Sequence, residues 1–126
     1  MDKEFHNFLE SYVACALWVE EAAQSDEDGN WTQDEFLPDQ LAPETKIRME
    51  NDCREFFDKH YDVIARGDFG EAGHCFWLSR NGHGSNFLDS DFYDEVDRDT
   101  LQEAARLFGE QNLYRGDDGL LYLMQG

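Results

Sequence analysis

Apolar side chains recur at helical spacing along the first part of the chain. Phe5, Phe8, Leu9, Tyr12, Val13, Ala16 and Leu17 fall three and four residues apart between residues 3 and 24, with Glu20 continuing the same stripe. This predicts an amphipathic helix. The polar run Ser25-Asp26-Glu27-Asp28-Gly29-Asn30 ends it. Thr32 and Glu35 then have capping-box spacing, which predicts a short helical turn around Asp34–Leu37 limited by Pro38. A second long helix is predicted from Pro43, a residue suited to a first helical position, to about Arg66. Ile47, Cys53, Phe56, Phe57, His60 and Ile64 lie towards one of its faces, and Gly67 is its stop.

From Gly73 the pattern changes to period two. Phe76 and Leu78 alternate with Cys75, Trp77 and Ser79 up to the turn signal Asn81-Gly82, which predicts a hairpin. Its register pairs Arg80 with His83, Phe76 with Phe87 and His74 with Asp89. A third helix is predicted from about Asp99 to Phe108, with Leu101, Ala104, Ala105 and Phe108 buried and Gly109 as cap. A second hairpin follows around Asp118-Gly119. The expected class is α+β: two long N-terminal helices, then hairpin, helix and hairpin, with the helices packed on a small antiparallel sheet. Residues 1–126 read as a single domain.

Charge changes the picture. The chain carries 29 acidic and 10 basic residues, a formal net charge of −19. That lies far outside the magnitude of about 2–8 that solubility asks of a small domain. Eleven acids and no cation stand between Lys3 and Lys46, among them Glu20, Glu21, Asp26, Glu27, Asp28, Asp34 and Glu35. Five more, Asp89, Asp91, Asp94, Glu95 and Asp97, stand between Arg80 and Arg98 without a cation. Such blocks repel nucleic acid and anionic membranes as direct ligands. Carboxylates three or four residues apart on a helix sit about 5–6 Å apart, close enough to imitate a row of phosphates before a basic groove. The bland alternative is a solvated acidic face. Ten Phe, five Tyr and three Trp supply the bulk for a core despite the charge. Cys15, Cys53 and Cys75 stand far apart and odd in number, which fits a reducing cytoplasm. No apolar run approaches a membrane-spanning length, so no membrane association is expected.

Two candidate chemistries arise. With Gly29 as the sharp-turn residue, Asp26, Asp28 and Glu35 occupy calcium-loop positions, but the first position falls on Gln24, and no metal or other cofactor is expected. In the hairpin register, His74 beside Asp89 would be held in one tautomer, and Arg80 with His83 could bind an anion, the parts of an acid–base site. The two histidines would then lie at opposite ends of one strand, too far apart to share an ion. The corresponding bland reading is a salt-bridged histidine and a turn needing positive φ.

The segment GHCFWLSRNGHGSNFLD, with the upstream LAPETKIRMENDCREFF and the later GEQNLYRGDDGLLY, resembles a family of small acidic proteins encoded by phages and prophages. The likeness spans roughly residues 42 to 122. The chain departs from the family's pattern at Cys75, where an acid is usual, and at Asn86-Phe87-Leu88, where Gly-Phe-Trp is usual. The resemblance implies an accessory protein of the host-takeover or anti-defence kind, acting in the host cytoplasm. Combined with the charge, the expectation is a non-catalytic inhibitor. Its partner would be a host protein with a basic nucleic-acid-binding groove, such as a CRISPR effector or restriction enzyme. Exposed aromatics such as Trp31, Phe92 or Tyr93 would supply the apolar centre of the interface. The alternatives are a small enzyme using His74, Arg80, His83 and Asp89 on a nucleotide or phosphate-bearing substrate, and a structural or assembly module.

Overall fold

The helix that ties the molecule together is the one whose sequence looked least helical. The computed structural model describes residues 2–23, 38–82 and 86–125. In it Phe69–Arg80 is an α-helix, not the first strand of a hairpin. Asp68 caps its start, accepting the Glu71 backbone N–H at 2.7 Å. Residues 72, 73 and 75–80 are all buried, so the helix is apolar on nearly every side and shows no 3.6-residue period. The apparent two-residue alternation was a by-product of that all-round burial. The cross-strand pairs of His74 with Asp89 and Phe76 with Phe87 therefore do not form, and His83, expected opposite Arg80, lies outside the described residues.

In chain order the elements are α1 (Asp2–Ala23), a 3-10 turn (Pro38–Gln40), α2 (Pro43–Lys59), α3 (Tyr61–Ile64), α4 (Phe69–Arg80), a 3-10 turn (Phe87–Asp89), α5 (Glu95–Arg106), β1 (Gln111–Arg115) and β2 (Leu121–Gln125). The class is α+β, with helices beside one two-stranded antiparallel sheet. The predicted second helix breaks at His60, whose φ of −117° is not helical, and resumes as the single turn of α3. Ile47, expected inside, is exposed; Cys53, Phe56 and Phe57 are buried as expected, and Thr45 and Met49 complete the stripe. The third helix begins four residues earlier than expected. Asp94 caps it by accepting the Asp97 N–H at 2.9 Å, a start signal concealed within an acidic run.

The longest packing interface joins α1 to α4. Phe8, Tyr12, Phe56, Phe76 and Trp77 are fully buried between these helices and α2. Phe56 and Phe76 stack at 4.2 Å, and Tyr12 meets Trp77 edge-on at 5.4 Å. Each such side chain contributes about 1.5–3 kcal/mol by leaving water. That is how so acidic a chain offsets its self-repulsion. Gly73 lets the two backbones touch, since a Cβ there would lie 2.0 Å from the Phe8 carbonyl oxygen.

The hairpin is pinned on both sides. Its register runs from Gln111 opposite Gln125 to Arg115 opposite Leu121, and Gly119 turns the loop at φ 85°. On the β2 side the Leu121 carbonyl accepts from Ala42 N–H at 3.0 Å and Thr45 Oγ1 at 2.9 Å. On the β1 side Asn81 Oδ1 accepts the Gln111 N–H at 2.8 Å, and the Glu20 carboxylate accepts the Leu113 N–H. An edge strand that would otherwise offer free donors is thus closed by side chains.

Candidate functional site

The sequence singled out Arg80, and the structure gives it a place deep in the fold. Its side chain is 1% exposed. Nη1 donates to Tyr12 Oη and to Asp52 Oδ2, both at 2.9 Å, Nε to the Gly109 carbonyl at 2.9 Å, and Nη2 to the Phe108 carbonyl at 3.0 Å. The two carbonyls lie just beyond the end of α5, so the guanidinium fixes the path of the chain as it leaves that helix. It also lies between the Phe76 and Phe108 rings, 5.6 and 5.5 Å from their centroids. Nothing in this arrangement leaves the fork aimed at a substrate. His74 is half-buried in α4. His83 lies outside the described residues. Ser79 is buried, donates to Gln102 Oε1 at 2.7 Å and accepts the Phe87 N–H at 3.2 Å.

The three thiols are free and buried. Burial pushes Cys15 up to about 12 and raises Cys53 and Cys75 as well, which removes thiolate character at neutral pH. Among the described residues, no group of three or more His, Cys, Asp and Glu side chains gathers where a metal ion could be held. The calcium-loop residues Asp26, Asp28 and Glu35 lie outside the described residues, as do Glu27, Asp34 and Trp31, and so does the Glu21 side chain. No helix among the described residues is long and apolar enough to cross a membrane.

The remaining acids fall into two kinds. Glu20 is only 5% exposed, and burial raises its pKa. Asp97 is buried too and pairs with Arg66 at 2.8 Å, so both serve the fold. Asp89, Asp91, Asp94 and Glu95 are exposed, and Asp99 extends the group along α5. Apolar side chains stand exposed among them: Leu88, Phe92 at 56% and Val96 at 72%. Tyr93, expected with Phe92 on the surface, is instead in the core, its hydroxyl donating to the Ile64 and Asp68 carbonyls at 2.8 and 3.0 Å.

Two open grooves flank α5, a feature the sequence reading missed. One, about 480 Å³, lies against α2 and includes Glu55, Lys59, His60 and Phe108. The other, about 540 Å³, includes Leu88, Asp99 and Arg106. Glu103 and Leu107 stand on the ridge between them and line both. His60 rests on the Phe56 ring at 5.1 Å; burial, helped by Lys59, lowers its pKa and keeps it neutral at pH 7. Leu107, two residues before the predicted cap Gly109, had carried no signal of being 83% exposed.

Comparison of the chain with family models, curated proteins and solved structures returns no match.

Proposed function

We propose that this chain is a non-catalytic, phage-encoded protein that inhibits a host nucleic-acid-handling defence protein of the CRISPR-effector or restriction type. Its carboxylates would occupy the partner's basic groove in the host cytoplasm. The observation that supports this most is the exposed row Asp89, Asp91, Asp94, Glu95 and Asp99, with Phe92 and Val96 uncovered among the acids. Negative charge concentrated around exposed apolar side chains suits a protein interface, whose apolar centre is ringed by polar groups. Glu95 and Asp99 are four residues apart on α5, so their Cβ atoms sit about 5–6 Å from each other, a spacing a cationic cleft accepts. A small enzyme built on His74, Arg80, His83 and Asp89 has less support, because Arg80 already engages Tyr12, Asp52 and two carbonyls.

The test begins with capture of the host partner and continues with its dissociation constant across ionic strength. Binding should weaken by about tenfold or more between low and physiological salt. The charge reversals Asp91→Lys, Glu95→Lys and Asp99→Lys, combined, should flatten that dependence. A complex whose affinity ignores salt would remove the reading.

A further inference from the structure

The outer face of α5 has a repeat that general acidity does not explain. Val96, Thr100, Glu103 and Leu107 are partly or wholly exposed along it, while Asp97, Leu101 and Ala105 take the inner face. Val96 and Leu107 are eleven residues apart, about three turns, and so project on the same side roughly 16 Å from each other. Thr100 Oγ1 bonds back to the Val96 carbonyl at 2.9 Å, which leaves Glu103 as the polar group available at the middle of the stripe. Leu88 adds a third apolar side chain on the far wall of one groove. The charge along the face is graded. Asp91, Asp94, Glu95 and Asp99 surround its start, whereas Lys59 and Arg106 sit near its end.

We infer that this face docks a basic amphipathic helix of the partner protein. That helix carries apolar side chains at Val96 and Leu107, a cation opposite Glu103, and its most basic end beside Asp94 and Glu95. The inference rests on the reading of a basic protein partner and specifies what that partner presents. Charge complementarity selects the occupant: a neutral apolar helix would leave the acids around Val96 without counter-charge, and a purely cationic segment would leave Val96 and Leu107 wet. Apolar anchors at both ends fix a register, which long-range attraction alone does not.

The test uses two synthetic peptides of about four helical turns. One carries leucines at the spacing of the stripe and lysines elsewhere; in the other, each leucine is replaced by serine at the same net charge. Binding to the full chain is followed by amide chemical shifts. The leucine peptide should bind about tenfold more tightly, with shifts centred on Val96, Glu103 and Leu107. The surface variants Val96→Ser and Leu107→Ser, checked for an unchanged melting temperature, should reduce it to the level of the serine peptide. Equal binding of both peptides with steep salt dependence overturns the docked helix and leaves the acidic-surface reading in place. If neither peptide binds, both readings fall.

Discussion

Four hydrogen bonds from the Arg80 guanidinium reach α1, α2 and the chain just after α5, so one side chain joins parts distant in sequence. Replacing it with methionine keeps the stem and removes every donor. The partly buried Phe108 and Gly109 carbonyls and the buried Tyr12 hydroxyl then lose their partner. Breaking a buried ion pair costs about 3–5 kcal/mol. Asp52 is 23% exposed and regains water, so the loss should sit near 3 kcal/mol in urea unfolding. Lysine should not restore it, because a single ammonium cannot reach four acceptors in a fixed fork. The fold turns Arg80 onto internal acceptors, whereas the sequence marked it as a cation at the Asn81-Gly82 turn that could bind an anion with His83. It gave no sign of which way the side chain turned, because Tyr12 and Asp52 are 68 and 28 positions away.

At the scale of elements, legibility followed solvent contact. α1 was readable because one side faces water, and the second hairpin because Asp118-Gly119 is a strong local turn signal. α4 is hard to recognise because a helix enclosed all round carries no contrast between faces; its local signal is the cap that Asp68 forms with the Glu71 N–H. The candidate surface was half legible: the acid run 89–97 was visible, but Asp97 and Tyr93 turn inward through partners only the fold supplies. Gly73 was read as the opening of a strand, whereas its task is to admit the Phe8 carbonyl. Gly73→Ala should gain about 1 kcal/mol of helix propensity and lose more, because the new methyl meets backbone rather than a side chain that can move. A net loss of about 2 kcal/mol or more is expected in chemical unfolding, with α1 becoming the first segment to exchange its amide hydrogens.

Over the whole molecule, the net charge of −19 makes stability a function of pH. Glu20 has a folded pKa above its ordinary 4.5, so its ionisation works against the native state. Its contribution is complete below about 4.5 and diminishes as pH rises through the folded value. The melting temperature should therefore climb as pH falls from 7 towards 5. Glu20→Gln should raise it at pH 7, keeping an acceptor for the Leu113 N–H, and give no gain near pH 4. Asp118 has the opposite sign, since the Tyr122 hydroxyl donates to it at 2.5 Å and lowers its pKa; that contribution disappears in acid.

The seat that Gly73 provides for Phe8 also governs when the protein can be born. α1 leaves the ribosome well before α4, the surface it leans on, and the Leu121 carbonyl that anchors Thr45 comes later still. Until then the opening helix has a greasy flank and nothing to cover it. A prematurely terminated copy would keep that flank bare and be cleared by proteases, so only finished chains would accumulate.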